Sequence, residues 1–533
     1  MKYKNPVIKG FHPDPSFCRK DEDYYLVNST FEWLPGLPVF HSRDLIHWEQ
    51  IGNALNRKEQ MEFSGCWSNG GIFAPTIRYH NGLFYIVTTN VSHDGAMAPG
   101  GSGNFIITAE NPAGEWSLPV WIAQGGIDPS LFFDEDGKVY FTSTMHGTDE
   151  YGRPQNQITQ AEIDPATGEL LSESRVISHG NGGRFAEGPH LYKVRGMYYL
   201  MTAEGGTEFG HMESIARSWS PWGPFESCPD NPILTASQSY DPTLCGTGHA
   251  DLLEAHDGSW WLAFLCYRVS ENYYHHMGRE TAVAPVRWEN GWPVINMGIT
   301  PEEDMAAECL PAADFAGNAV RTSFSSLQKL GLSWLTLRTY FEGYSFEENP
   351  GFLTLRGNEK TLNDRATPAF LGIRLTDFES RIETCLSFKP VHENEEAGIA
   401  FAHNTDGHTE FVITRRNGKK TVLLRRKVFD LVTEEAFGEL PEGPVRLKAE
   451  TDRYDIRFSF GIEKDGMVSY TDAGSEKVKL LSSEIVGGCI AVICGMYASG
   501  NGKECTVPAK YSWFDYEILP AKPKRAMFFD DGE

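Results

Sequence analysis

Apolar residues in the first three hundred positions recur as pairs of short strands joined by a polar turn. In each pair a small or acidic residue, usually followed by Pro, begins an apolar strand, and an aromatic-rich strand follows the turn. The five starting segments are Asp14-Pro15-Ser16-Phe17, Ala74-Pro75-Thr76-Ile77, Asp128-Pro129-Ser130-Leu131, Gly188-Pro189-His190-Leu191 and His249-Ala250-Asp251-Leu252. They lie 54 to 61 residues apart. This period, with about four strands per unit, predicts the blades of a five-bladed β-propeller.

The turns inside these pairs have the composition that hairpins require. Asn81-Gly82, Arg195-Gly196 and Asp257-Gly258 each supply residues that readily adopt a positive φ. A tandem array of sandwiches is the weaker alternative, because one hairpin recurs so regularly.

The pattern changes after the repeat ends. Segments such as Phe352-Leu353-Thr354-Leu355 and Thr421-Val422-Leu423-Leu424-Arg425-Arg426 interleave charged and apolar residues, which is typical of half-buried antiparallel strands in a β-sandwich. We therefore predict an all-β protein with a propeller over residues 1–300, a linker over 301–325, a sandwich over 326–521 and a tail over 522–533.

Composition narrows the choice of partner. The 533 residues include 47 Lys+Arg and 72 Asp+Glu, a formal net charge of −25. Such a surface repels nucleic acid and anionic membranes, and no apolar run is long enough to span a bilayer. Ten cysteines without a CxxC pair argue against a thiolate zinc site. The first residues, Met1 to Pro6, lack the apolar segment of a secretory signal, so we expect a cytoplasmic protein with reduced thiols.

Three acidic residues occupy corresponding places in the repeat. The first residue of each innermost propeller strand faces the central channel, so Asp14, Asp128 and Glu187 are expected to meet there with His249. A single Asp-Pro is more simply read as a strand start, but three acids at matching positions indicate a site. Converging carboxyls raise one another's pKa, and a protonated acid beside an ionised one is what glycoside hydrolysis needs. We interpret Glu204 as a structural partner.

The motifs in which these acids lie resemble those of a known family. His12-Pro13-Asp14-Pro15-Ser16, Ile127-Asp128-Pro129-Ser130, Ala186-Glu187-Gly188-Pro189-His190 and Ala203-Glu204-Gly205-Gly206-Thr207 are similar to glycoside hydrolase family 43. The closer likeness is to its two-domain β-xylosidases and α-L-arabinofuranosidases, and it covers nearly the whole chain. The resemblance implies a five-bladed propeller followed by a jelly-roll, concanavalin-like sandwich.

The resemblance also implies an inverting mechanism. Asp14 would be the general base that deprotonates water, and Glu187 the general acid that protonates the leaving oxygen. Asp128 would raise the pKa of Glu187 and orient it. Inversion leaves room for water, so the Asp14 and Glu187 carboxyls are expected about 6.5–9.5 Å apart.

Further residues match the family's substrate-binding positions. His249 would orient Asp128 or hold a channel ion through water; the alternative is a hydrogen-bonded core histidine. Arg279 would hold adjacent sugar hydroxyls; the alternative is a surface ion pair. Phe31 and Phe73 would stack on sugar faces, unless they are simply core. No cofactor is required, and one calcium ion in the channel is left open.

Three departures from the family bear on the substrate. Phe73 stands where the family commonly has Trp, Ile127 where it often has Phe, and the segment 264–277 is short. We expect exo-release of xylose from β-1,4-xylooligosaccharides, with arabinofuranose as the alternative sugar. A sandwich loop is expected to close the pocket. Whether the chain forms a homo-oligomer stays open.

Three rival functions are weaker. Retaining, invertase-like hydrolases carry an Asn-Asp-Pro motif that is absent here. A non-catalytic carbohydrate-binding propeller would not need all three acids. A metal hydrolase is disfavoured because His275-His276 lacks ligand spacing and no HExxH occurs.

Overall fold

The computed structural model describes residues 2–92, 101–149, 151–240, 242–271, 273–307, 321–325 and 327–523. They form two compact units. Unit 1 contains the propeller strands together with Leu335–Tyr340, and unit 2 contains the sandwich strands together with Ser270–Met277. The predicted linker and tail fall partly on residues 308–320 and 524–533, which lie outside the described residues, so the limits of these segments stay predictions.

The strands of unit 1 follow the predicted repeat. They are β1 (Lys2–Lys4), β2 (Ser16–Lys20), β3 (Asp23–Val27), β4 (Trp33–Leu34), β5 (Gly36–Ser42), β6 (Glu49–Leu55), β7 (Gly71–Ile72), β8 (Thr76–His80), β9 (Leu83–Val91), β10 (Gly103–Ala109), β11 (Val120–Trp121), β12 (Ile127–Phe133), β13 (Val139–Thr148), β14 (Pro154–Asp164), β15 (Glu169–Leu170), β16 (Arg175–Ser178), β17 (Glu187–Val194), β18 (Met197–Glu204), β19 (Met212–Ser218), β20 (Glu226–Ser227), β21 (Leu234–Thr235), β22 (Cys245–Glu254), β23 (Trp260–Tyr267), β24 (Glu280–Glu289), β25 (Trp292–Ile295) and β26 (Asp304–Ala306). A 3-10 turn spans Asn296–Gly298.

Five antiparallel sheets built from these strands are the blades. Their strand orders are β2-β3-β5-β6, β8-β9-β10-β11, β12-β13-β14-β15, β17-β18-β19-β20 and β22-β23-β24-β25, with β7, β16 and β21 added to the second, third and fourth blades. The innermost strands β2, β8, β12, β17 and β22 contact one another in a closed ring. The five-bladed propeller predicted from the repeat is thus confirmed.

A buried ion pair ties the innermost strands together. Asp251 on β22 binds the Arg78 guanidinium of β8 through both carboxylate oxygens, at 2.7 and 3.0 Å. It also accepts hydrogen bonds from Ser16 Oγ on β2 and Tyr192 Oη on β17, each at 2.6 Å. Arg78 and the other donors hold the pKa of Asp251 far below its ordinary value despite its burial. Because four of the five blades meet at one carboxylate, their innermost strands are fixed relative to one another.

Unit 2 is the predicted β-sandwich. Its strands are β27 (Arg321–Ser323), then, after β28 (Thr336–Leu337) of unit 1, β29 (Tyr344–Ser345), β30 (Leu353–Leu355), β31 (Ala369–Arg374), β32 (Ser380–Ser387), β33 (Glu396–Asn404), β34 (Gly407–Arg416), β35 (Lys419–Val428), β36 (Leu431–Phe437), β37 (Val445–Thr451), β38 (Asp455–Lys464), β39 (Met467–Lys477), β40 (Ile493–Ser499) and β41 (Ala509–Ile518). A 3-10 turn (Val478–Leu481) and the short helix α1 (Ser483–Val486) join β39 to β40.

Two sheets face each other across one apolar core. One has the order β29-β30-β41-β32-β37-β38-β39, with β27 on β41, and the other has the order β31-β40-β33-β34-β35-β36. Alternate residues of facing strands, such as Ile399, Phe411 and Leu447, are fully buried between them, which is how a sandwich removes its apolar faces from water. Within the described residues, no helix has the length and apolar character needed to cross a membrane.

Candidate active site

The candidate residues Asp14, Asp128 and Glu187 lie at or just before the starts of innermost strands, and His249 lies within the first half of β22. The backbone at these positions has an unusual conformation. Asp14, Asp128 and His249 have φ values of 52°, 53° and 47°, and Gly188 has 56°. Strand pairing shifts register beside these positions in β12, β17 and β22. Bulges with left-handed residues bend a strand and re-aim its side chains, and such strain concentrates at functional sites. In the fourth blade Gly188 takes the left-handed position, so the acid Glu187 comes one residue earlier.

Glycine is required at position 188 for its close packing against His249 as well as for its left-handed backbone. A Cβ at this position would lie 3.0 Å from Nε2 of His249, so the imidazole packs directly on the glycine backbone. The backbone N–H of Gly188 also hydrogen bonds to the carboxylate of Asp128. This one residue therefore brings the third, fourth and fifth blades together at the site.

Asp128, Glu187 and His249 form a close group. Each offers one ligand-type atom, and these atoms all lie within 4.8 Å of one another. Asp128 is 8% exposed and His249 7% exposed, whereas Glu187 is half-buried. Asp14, from the first blade, lies beside this group rather than within it.

The two carboxyls of this group both favour the protonated form. Burial and the charge of Asp14 raise the pKa of Glu187 to about 7. Burial, then Glu187 and Asp14, raise the pKa of Asp128 well above its ordinary value. Repulsion between two carboxylates is mutual, so an ionised Asp128 also favours the protonated form of Glu187, and Asp14 adds its own charge. The modulating role expected for Asp128 stays a prediction.

Asp14 is held ionised. Its carboxylate accepts a hydrogen bond from Arg279 Nη1 at 2.8 Å and one from Ser29 Oγ, and His249 Nδ1 lies 3.8 Å from Oδ1. Burial alone would raise the pKa of Asp14, but the Arg279 guanidinium, followed by His249 and Ser29, brings it below its ordinary value. A buried carboxylate with paired oxygens is a fixed acceptor for a proton.

Arg279 joins Asp14 to an aromatic wall. Its Nη1 also donates to Thr207 Oγ1 at 3.2 Å, and its guanidinium carbon lies 5.3 Å from the ring centroid of Phe31. The rings of Phe31 and Phe73 are tilted, with centroids 4.9 Å apart. Phe31 is 4% exposed, so most of its ring packs in the wall. Arg279 is 5% exposed, and the predicted alternative of a surface ion pair does not describe it.

The imidazole of His249 favours its uncharged form. Burial lowers its pKa from the ordinary value, so the ring is uncharged at neutral pH. Behind it, His211 Nδ1 is 3.1 Å from the Gly246 carbonyl oxygen, and Glu213 Oε2 accepts from the Ala250 N–H at 2.9 Å. These contacts fix the start of β22 and so the direction of the imidazole.

The carboxylate of Glu204 binds backbone N–H groups of the loop that precedes Glu187. The Glu204 side chain is 1% exposed and accepts hydrogen bonds from the N–H groups of Asn181 and Gly183. The structural role expected for Glu204 matches these contacts.

The structure adds four residues that sequence reasoning did not assign. Ser29, Thr207, His211 and Glu213 all contact the site residues or the strands that carry them. Thr207 ends the motif Ala203-Glu204-Gly205-Gly206-Thr207, which was a usable signal. The other three carry no pattern of their own, since their roles come from tertiary contacts.

Comparison with known proteins covers both units. A model described as "Glycosyl hydrolases family 43" matches residues 3–293, and one described as "Beta xylosidase C-terminal Concanavalin A-like domain" matches residues 321–517. The chain is 40% identical to "Non-reducing end alpha-L-arabinofuranosidase BoGH43B" of Bacteroides ovatus, over 97% of this chain and 95% of that protein. It is 38% identical to "Xylosidase/arabinosidase" of Butyrivibrio fibrisolvens, over 96% and 99%. The solved xylan beta-1,4-xylosidase of Bacillus halodurans superposes with a TM-score of 0.90 at 32% identity, covering 97% of this chain and 100% of that one.

Proposed function

The chain belongs to glycosyl hydrolase family 43, and from this premise we propose that it is an exo-acting β-xylosidase that inverts the anomeric centre. Its substrates would be β-1,4-xylooligosaccharides, cut at the non-reducing end to release xylose. The family assignment makes the chain a glycoside hydrolase, and curated relatives are named for xylosidase and arabinosidase activity.

Two proton transfers carry the proposed reaction. Asp14, ionised beside Arg279, takes a proton from the water that attacks the anomeric carbon. Glu187, with a pKa of about 7, gives its proton to the glycosidic oxygen as the bond to the leaving sugar breaks. The new hydroxyl enters opposite the departing sugar, so the product has the inverted configuration.

The remaining residues bind and orient. Asp128 keeps Glu187 directed toward the glycosidic oxygen, and His249 packs against the Gly188 backbone beside it. Arg279 presents its fork of donors to sugar hydroxyls while it holds Asp14. Phe31 and Phe73 contribute the apolar wall against which a sugar face packs.

The observation that carries the proposal is the ionised Asp14, paired with Arg279, beside a close group in which the carboxyls of Asp128 and Glu187 favour protonation. It is tested by proton NMR of xylobiose hydrolysis at early times. Inversion predicts α-xylose as the first product, and β-xylose would refute the mechanism. Glu187→Ala is expected to lose far more activity on alkyl xylosides than on dinitrophenyl xyloside, because an activated phenol leaves without a proton; equal losses would refute the acid role.

Arabinofuranose is the second candidate sugar. The 40% identical relative is named a non-reducing end α-L-arabinofuranosidase, and Phe73 makes the aromatic wall smaller than a tryptophan would. Side-by-side kinetics on 4-nitrophenyl β-xylopyranoside and α-L-arabinofuranoside test the preference. A higher kcat/KM on the arabinofuranoside would replace xylose as the proposed sugar.

Exo-action is tested by product length. Xylotriose should release single xylose units from its non-reducing end, with xylobiose as the other early product. Early release of long fragments from xylan would contradict exo-action.

Calcium is not assigned a role in the reaction. Family 43 enzymes are generally independent of cofactors, and calcium prefers six to eight oxygen ligands. The close group offers an imidazole and two carboxyls that favour protonation, which fits proton transfer better than a calcium ion. An ion held through water by His249 would only adjust the local charge. Activity should therefore survive prolonged EDTA; a loss restored by calcium would refute this.

A cytoplasmic location is proposed from the thiols. Nine cysteines are free in the described part of the chain, and six of them are buried, as expected in a reducing compartment. Fractionation of the producing cell tests it, and recovery of the protein outside the cytoplasm would contradict it.

A further inference from the structure

The loop before Glu187 is held in one shape by a buried carboxylate. Glu204 accepts hydrogen bonds from the N–H groups of Asn181 and Gly183, and the Arg184 carbonyl accepts from the Gly205 N–H at 2.6 Å. Charge-assisted hydrogen bonds of this kind are strong, and Glu204 is shielded from water. The end of the loop, residues 184–186, is therefore rigidly placed.

Phe185 is presented to solvent at the end of this loop. The side chain is 54% exposed, and its backbone has a φ of 53°, a conformation that bulky residues rarely adopt. The guanidinium carbon of Arg184 lies 5.2 Å from the ring centroid. An aromatic ring held outward in an unfavourable backbone conformation serves no core packing, and such strain marks functional positions.

The ring borders segments of the chain that carry residues of the candidate active site. A Cβ added to Gly206 would be 3.2 Å from Cδ2 of Phe185, so the ring sits against that glycine. The next residue, Thr207, accepts the hydrogen bond from Arg279. On the other side, only Ala186 separates Phe185 from Glu187. Phe185 therefore lies two residues before Glu187, the proposed proton donor, and packs against the glycine that precedes Thr207.

We propose that Phe185 is a stacking platform for the leaving sugar, the xylose unit that departs with the proton from Glu187. This rests on the proposed function, in which Glu187 lies at the glycosidic oxygen and the leaving sugar extends past it. A pyranose has an apolar face of C–H groups that packs on an aromatic ring, and binding sites combine such a surface with a few polar groups. Arg184, beside the ring, supplies donors for the hydroxyls of the same sugar.

The test compares substrates that differ only in the leaving group. Wild type and Phe185→Ala are assayed on xylobiose, whose leaving group is a sugar, and on β-xylosyl fluoride, whose leaving group has no ring. The variant should lose roughly 3- to 10-fold in kcat/KM on xylobiose and change less than 2-fold on the fluoride. Phe185→Trp should keep the activity on xylobiose.

Trp219→Ala is the matched control. Trp219 is 79% exposed and follows the far end of β19, whose other end pairs with Glu204. This variant should leave both activities unchanged. Unchanged xylobiose kinetics in Phe185→Ala, or equal losses on both substrates, would refute the proposed stacking of Phe185 on the leaving sugar. A wild-type enzyme inactive on both substrates would instead refute the proposed function.

Discussion

Glu187 should set the alkaline side of the pH–rate profile. An ordinary glutamic acid, with a pKa of 4.5, would be protonated in well under 1% of molecules at pH 7. Burial and the charge of Asp14 raise the pKa of Glu187 to about 7. About nine-tenths of the enzyme should then carry the proton at pH 6, about half at pH 7 and about one-tenth at pH 8.

The acidic side of the profile belongs to Asp14. Its pKa lies below the ordinary 3.8, so this base is ionised throughout the range above pH 5. We therefore expect kcat/KM on alkyl xylosides to be level between about pH 5 and 6 and to fall tenfold for each pH unit well above 7.

Two variants identify the titrating groups. Glu187→Gln is assayed on the same alkyl xyloside as wild type, and its residual activity should show no alkaline decline, because no catalytic proton remains to be removed. Arg279→Met should shift both sides of the profile to higher pH, because the Arg279 charge lowers the pKa of Asp14 and of Glu187. Arg287→Met, which removes an exposed arginine paired with Glu289, is the control. The reasoning fails if the alkaline decline persists in Glu187→Gln or begins near pH 5 in wild type.

Two further predictions concern buried contacts. Arg338→Met removes a fully buried guanidinium that binds Glu32 Oε2 at 3.0 Å. It should lower the free energy of unfolding by about 3–5 kcal/mol and the melting temperature by several degrees, measured by calorimetry. The control Arg356→Met, at an exposed arginine, should change the free energy of unfolding very little. Gly188→Ala should lower kcat/KM about 10- to 100-fold, because the new methyl displaces the adjacent imidazole. The control Gly196→Ala, also at a positive φ but with open space around the new methyl, should retain activity. Equal losses in the two variants would contradict this.

The propeller was predictable because its signal is periodic. One hairpin with turn residues such as Asn81-Gly82 recurs five times at nearly constant spacing, and each copy needs neighbours to bury its apolar faces. The return of Leu335–Tyr340 to unit 1 was not predictable. It depends on the buried pair of Arg338 and Glu32, which are 306 residues apart in the chain, and no local pattern marks such a pairing.

The sequence indicated which residues would converge but not how their charges would act on one another, and their catalytic roles stay predictions. The repeat indicated Asp14, Asp128, Glu187 and His249, and the family resemblance indicated Arg279. The repeat already places Glu187 one residue before Gly188, but the cause of this offset, the left-handed conformation of Gly188, appears only in the structure. Ser29 carries no pattern of its own, and although Thr207 ends a recognisable motif, its contact with Arg279, 72 residues away, shows only in the structure.

The sequence by itself determined the number of blades, the order of the two β units and the residue types that the channel would receive, because periodicity and side-chain chemistry are properties of the chain. Only the tertiary structure decided which charge acts on which carboxyl: Arg279 on Asp14, and Asp14 on Glu187. Electrostatic interactions depend on separation and burial, and both are set only when the fifth blade closes against the first.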